Sequence, residues 1–225
     1  MRHVLIALAL MLTSPARAQE APSQDMLDAA AQPFFDAGTY GDAFDDTGLT
    51  QGCANEGGQM VCTITSRGAN LIARSGESSD AVMAVLMALP LNTAVAVTGD
   101  ITSMGDITAE IVLSTVTMAA ADPFATLAAD IQGLGVSDDD AQSGFEIVGT
   151  QMVDSYAGEV QASSLLTFAA QCPEGPEDVG PVMIAQVMGD DPSIMACYYI
   201  VSLEGAALQM SLMGGAGNTL SYTRQ

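Results

Sequence analysis

The side chains available for chemistry are few in kind. The one histidine, His3, lies in an N-terminal leader, and the chain has neither lysine nor tryptophan. Without imidazole there is no Ser-His-Asp or Cys-His nucleophile and no histidine-ligated zinc. Without lysine there is no Schiff base and no phosphate-binding P-loop. A hydrolase would have to work with carboxylates, hydroxyls or an oxygen-ligated metal. Asp138-Asp139-Asp140 and Gly189-Asp190-Asp191 are the acidic loops that could present oxygens to calcium. Neither has the alternate-residue spacing and glycine of a calcium loop, so both are expected to be solvated, and no metal and no cofactor is assigned.

Three other sets could carry chemistry. Cys53, Cys62, Cys172 and Cys197 permit three pairings. In an exported chain they are expected to be oxidised between neighbours, Cys53 with Cys62 and Cys172 with Cys197, each bridge contributing about 3 kcal/mol. Neither spacing is the close pair of a thiol-disulfide catalyst. Asp46-Thr47-Gly48 matches the tripeptide of aspartic proteases, in which two carboxylates share a proton. Asp45 precedes it where an apolar strand is needed, and no second copy exists, so a capped turn is expected. Fourteen methionines, among them Met83, Met87, Met183, Met188, Met195, Met210 and Met213, are read as core rather than as copper ligands, because no histidine and no close methionine pair supports a metal.

Met1 to Ala18 reads as a removed signal peptide: Arg2 and His3 are followed by the apolar run Val4–Leu12 and by Ala16-Arg17-Ala18. The run is too short for a membrane span, and none is expected in the mature chain. Acidic residues number 27 against five arginines; two of these, Arg2 and Arg17, leave with the leader, so the mature chain carries Arg67, Arg74 and Arg224 and a formal charge of −24. Nucleic acid, whose phosphates need cationic contacts, is not an expected partner. A basic protein is, through attraction to the acidic field.

The elements that must position these groups are mostly strands. Ser23 or Asp25 caps a short helix through Met26 and Ala30, and Tyr40 to Gly58 is read as a loop. Met60–Thr65 and Leu71–Arg74 form a hairpin, Ala81–Leu89 a buried helix ended by Pro90, and Thr93–Asp100 with Ile107–Met118 a second hairpin. Asp122-Pro123 opens a helix, with Asp as cap and Pro first, that runs to Gly133. A short helix is expected after Gly133. It leads into an up-and-down meander with strands near Phe145–Thr150, Gln151–Tyr156, Val160–Ala169, Val182–Met188 and Ile194–Leu203, then two C-terminal strands around the glycine turn 214–218. The divisions are 1–18 signal peptide, 19–58 helix and loop lead-in, 59–121 first β domain, and 122–225 short helix plus barrel.

Thr93–Val116 (TAVAVTGDITSMGDITAEIVLSTV) resembles the small OB-like barrels of exported bacterial proteins. The second half is similar to the lipocalin-like barrels of bacterial envelope proteins in its helix-then-Gly133 entry, its Gly149 and Gly158 corners, its cysteine pair and its terminal GNTLSYTR strand; Gly133-Leu134-Gly135 lacks the lipocalin tryptophan. The resemblances imply a mainly β protein with short helices, an OB-like barrel followed by a lipocalin-like one. Phe145, Phe168, Tyr198 and Met210 would then line the second barrel. The function expected is binding of a basic envelope protein or a small apolar ligand in the periplasm or outside the cell. Inhibition of a basic hydrolase, as in barrel inhibitors of proteases and lysozyme, and a carboxylate-dependent hydrolase are the alternatives.

Overall fold

The computed structural model describes residues 21–120, 122–173, 180–188, 195–214 and 219–225. The leader, Gly189-Asp190-Asp191 and most of the turn 214–218 lie outside the described residues. Two closed barrels follow one another along the chain, of five and eight strands, with a few short helices.

The first barrel is preceded by α1 (Gln24–Ala30), whose N-cap Ser23 accepts from Met26 N at 3.4 Å. β1 (Asp42–Glu56) and β2 (Gln59–Ser66) form a hairpin turned by Gly57 and Gly58. β3 (Ala69–Arg74) follows through Arg67-Gly68, and α2 (Asp80–Ala88) leads to β4 (Ala94–Met104) and β5 (Thr108–Met118). The spatial order β1-β2-β3-β5-β4 closes by β1–β4 pairing, and β3 runs parallel to β5. A parallel neighbour requires a crossover, which α2 and β4 supply. α2 buries Val82, Met83, Val85 and Leu86 and leaves Met87 exposed, so it is apolar all round but buried on one side.

The segment expected as a loop, Tyr40 to Gly58, contains the longest strand among the described residues, the 15-residue β1. Its alternation is hidden by a register shift between Thr50 and Cys53, where Gly52 takes φ +87°. A bulge inserts a residue and reverses which side chains face inward, so period-two reading fails across it. The 58/59 division therefore falls inside the β1–β2 hairpin. Asp46-Thr47-Gly48 is likewise strand, not a capped turn. A Cβ on Gly48 would lie 2.6 Å from the Thr65 carbonyl oxygen, so the glycine lets β2 approach.

α3 (Ala125–Asp130) begins later than expected. Asp122 Oδ1 accepts from Phe124 N at 2.6 Å and its carbonyl from Ala125 N at 3.0 Å, so Asp122-Pro123 make a turn before the helix rather than its cap and first residue.

The second barrel comprises β6 (Gly133–Ser137), β7 (Ser143–Val148), β8 (Gln151–Tyr156), β9 (Glu159–Ala169), β10 (Val182–Val187), β11 (Met195–Glu204), β12 (Ala207–Leu212) and β13 (Thr219–Arg224). All pairs are antiparallel neighbours in sequence except β13 with β6, which closes the ring. The short helix expected after Gly133 is the strand β6. Its two glycines weaken any local strand signal, and its reason to extend is the free edge of β13, nearly ninety residues away in sequence.

The barrels meet through polar contacts. Thr65 and Thr150 hydroxyls are 2.8 Å apart, both buried, and Gln51 Oε1 accepts from Thr150 N at 2.7 Å.

Candidate functional site

In an antiparallel ladder directly opposed residues share a face, so the buried pairs of the second barrel identify its interior. Ile147 faces Met152 and Phe145 faces Asp154; Met183 faces Phe168 and Tyr198; Ile200 faces Met210; Leu208 faces Tyr222. Phe145, Met183, Leu208 and Met210 are each no more than 2 % exposed and belong to one packed cluster, with Phe168, Tyr198 and Tyr222 half-buried against it. Of the four residues singled out from the sequence, Phe145 and Met210 belong to this cluster and Phe168 and Tyr198 pack against it. Ile131, fully buried at the end of α3, packs into the same cluster beside the β6 start.

Asp154 shares the face of Phe145, and Tyr198 and Tyr222 share the faces of Met183 and Leu208, so all three point to the interior. Among the described residues the Asp154 carboxylate has no hydrogen bond and no ion pair. Burial pushes its pKa above the usual carboxylate range. Burial likewise raises Tyr198, with the Asp154 charge adding to it. Tyr222 is raised by burial, then by Tyr198 and Asp154. Sequence reading missed Asp154 and Tyr222. Their signal was the alternation with Met152 and Leu220, which shows a shared face but not which face is interior.

Gly135 positions Tyr222. Its backbone lies under the Phe145 ring, where a Cβ would meet Cζ at 2.4 Å. That ring in turn stands edge-on to Tyr222, with centroids 4.9 Å apart and planes at 65°. Tyr156, Val160, Met195 and Leu212, at strand ends, are exposed. Asp138, Asp139 and Asp140 occupy the β6–β7 connection, exposed, with Asp138 Oδ1 accepting from Thr223 Oγ1 at 2.7 Å and Asp140 Oδ1 from Gln142 N at 3.0 Å. Among the described residues no group of three acidic, histidine or cysteine side chains could hold a metal ion.

A second concavity of about 410 Å³ separates the barrels, lined among others by Thr47, Arg67, Phe124, Thr150 and Phe168. Arg67, at φ +48° in the β2–β3 turn, pairs with Asp46 at 3.1 Å. Asp46 is thus an ion-pair partner, and its Oδ1 also accepts from Thr47 N at 2.8 Å. Arg74 is held by Glu110 through two nitrogens at 3.0 and 3.1 Å, with Glu56 at 3.7 Å.

Among the described residues one carboxylate, Asp100, is fully buried. Asp100 accepts from the backbone N–H of Gly38 and Tyr40, each at 2.7 Å. Burial would raise its pKa, but hydrogen bonds from Tyr40, Gly38, Gly41 and Thr39 outweigh it and hold the carboxyl below its usual range. Its acceptor sites are occupied by the chain itself, so it ties residues 38–41 onto the first barrel. Disulfides join Cys53 to Cys62, opposed residues of β1 and β2, and Cys172 to Cys197, fastening the β9–β10 connection to β11. No helix among the described residues is long and apolar enough to cross a membrane.

No protein-family profile matches the chain, and no curated protein is similar to it. Among solved structures, the chain is similar to an OBody, AM3L15, bound to hen egg-white lysozyme, at 17% identity over 46% of this chain and 95% of that one, with a TM-score of 0.31. A second OBody complex with the same lysozyme, AM3L09, gives 18% identity over 45% and 100%, TM-score 0.30. An aspartyl tRNA synthetase from Entamoeba histolytica gives 11% identity over 52% and 25%, TM-score 0.29. Likenesses this weak support neither a fold assignment nor a function.

Proposed function

We propose that the chain is an exported, non-enzymatic binding protein whose second barrel recognises a basic partner protein. The observation that carries this reading is the distribution of carboxylates. Among the described residues the two carboxyl groups whose pKa departs from the usual range, Asp100 and Asp154, lie in different barrels, and Asp100 is saturated by backbone donors. A two-carboxylate hydrolase needs them together. Among the described residues only Asp46, Glu56 and Glu110 pair with arginine, so most of the acidic field faces outward uncompensated. Such a field steers basic proteins. The packed interior of the second barrel favours a partner at its surface over an apolar ligand inside it.

Export is supported by the leader sequence and by two disulfides, which persist in oxidising compartments. The order β1-β2-β3-β5-β4 with a helix before β4 is the basis for reading the first barrel as OB-like. The eight-stranded meander is the basis for reading the second as lipocalin-like. A small apolar ligand remains the second reading, favoured by the 410 Å³ concavity and its Phe168 wall.

Binding of a nona-arginine peptide, with nona-citrulline as neutral control, tests the first reading. Affinity should fall steeply between about 0.01 M and about 0.15 M salt, as the Debye length shrinks from about 30 Å to about 8 Å. Saturable uptake of a lipophilic dye with no arginine binding would favour the ligand instead. Hydrolysis lost on substitution of an aspartate or glutamate would place the protein in the enzyme class.

A further inference from the structure

Independently of the basic-partner reading, we propose that the Cys53–Cys62 disulfide is a site of thiol–disulfide exchange with a dithiol, and that its reduction loosens the contact between the barrels. The two bridges differ in their surroundings. Cys172 and Cys197 are both buried, in an apolar cluster with Val182. Cys62 is 1 % exposed in the core of the first barrel, whereas Cys53 is only partly buried against that core. Cys53 also lines a concavity of about 310 Å³ together with Gly52, Met60, Met87, Leu89 and Leu91. Met87 and Leu91 are exposed, so the concavity meets solvent. An attacking thiolate must reach one sulfur of a bridge, and of the four cysteines Cys53 alone is not buried.

The exchange runs in two steps. One sulfur of the dithiol, as thiolate, attacks Cys53 Sγ; a mixed disulfide forms, the Cys53–Cys62 bond breaks, and the Cys62 sulfur leaves as thiolate and takes up a proton. The second thiol of the reductant then loses its proton and attacks the first, closing the reductant's own disulfide and releasing Cys53, which is protonated in turn. The bridge has gained two electrons and two protons, and the dithiol has lost the same.

The position of the bridge gives its loss a consequence. It joins the first opposed pair beyond the β1 bulge, whose flanking pairs are Thr50 with Ile64 and Cys53 with Cys62. Gln51 and Gly52 therefore face Thr63 alone, with Gly52 at φ +87°. A bulge interrupts the ladder, so the path of these two residues depends on the pairs that bound it. Gln51 is the residue that reaches the second barrel: its Oε1 accepts from Thr150 N at 2.7 Å, while its Nε2 donates to the Leu49 carbonyl at 3.0 Å. Past the bridge, Ala54 with Val61, Asn55 with Met60 and Glu56 with Gln59 still pair. Reduction thus frees the bulge without opening the hairpin.

The experiment exposes the folded protein to dithiothreitol without denaturant. Samples are acid-quenched at intervals, unfolded, alkylated and mapped by mass spectrometry. Cys53 and Cys62 should become alkylated about tenfold sooner than Cys172 and Cys197, because access governs the rate of exchange. Equal rates, or earlier reduction of Cys172–Cys197, overturn the site. A parallel arm with reduced thioredoxin separates the sources of the dithiol: selective reduction there assigns the site to protein-borne dithiols, and selective reduction by dithiothreitol alone assigns it to small ones. Amide exchange of Thr150, followed by nuclear magnetic resonance, should quicken about tenfold in the selectively reduced protein, as a local opening would make it. The double variant Cys53→Ser with Cys62→Ser should show the same change, and where it fails to fold the reduced protein supplies the reading. Unaltered exchange at Thr150 after reduction overturns the coupling between the bridge and the barrel contact.

Discussion

Replacing Gly135 by alanine places a methyl group against the Phe145 ring, which stands edge-on to Tyr222. The new Cβ would sit 2.4, 2.6 and 2.9 Å from Cζ, Cε1 and Cε2 of Phe145. Carbon atoms rest at roughly 3.5–4.0 Å, so the ring must withdraw by about 1 Å. Phe145 is 2 % exposed and packed on its other sides, so the strain cannot be relieved into solvent. Overpacking of this kind costs about 1–3 kcal/mol, or a fall in melting temperature of roughly 2–4 °C per kcal/mol for a chain of this size. Phe145→Leu is destabilising alone, but in the double variant the smaller side chain makes room for the methyl. The two effects should therefore be less than additive by about 0.5–3 kcal/mol. Thermal unfolding of the four proteins followed by circular dichroism measures the coupling. A neutral Gly135→Ala, or additive effects, would refute the reasoning that this glycine exists to seat the ring.

Asp154→Asn should raise the melting temperature at neutral pH, since the folded carboxyl is raised by burial. Its stabilising protonated form is lost as pH climbs from the usual carboxylate value of about 3.9 through the higher folded value, and the asparagine variant should lack that decline. Asp100→Asn should behave oppositely. The folded carboxyl is lowered, so its contribution is present at neutral pH and disappears as pH falls below about 4. The variant should melt lower at pH 7 with a flatter acid limb, and an unchanged limb would contradict the account of the 38–41 backbone bonds. Thr150→Val removes the hydroxyl contact between the barrels while Thr65 keeps Asn70 Oδ1 at 3.0 Å, so a loss of about 1 kcal/mol is expected in urea unfolding. No loss would mean that this contact does not couple them.

Where the chain alternates without interruption, the strands were legible: Gln59–Ser66, Thr108–Met118 and Gln151–Tyr156 lie close to their sequence-derived limits. The mainly β class, with a small barrel before an up-and-down one, was legible on the same grounds. What escaped was governed by distant partners. β1 is broken in pattern by the bulge beyond Thr50, yet β2 and β4 pair it on both sides. β6 carries Gly133 and Gly135 and extends because β13 lies beside it. Of the interior, Tyr198 was legible as a barrel-lining residue. Asp154 was not, because an aspartate in Gln151–Tyr156 reads as solvent-facing until its register with Phe145 turns it inward.

The central claim is that a basic partner engages the second barrel. Hydrogen–deuterium exchange of the protein with and without saturating nona-arginine tests it directly. The account predicts slowed exchange within the second barrel, with the first barrel unchanged. Slowed exchange confined to the concavity around Thr47, Arg67 and Phe168, or nowhere, would contradict it.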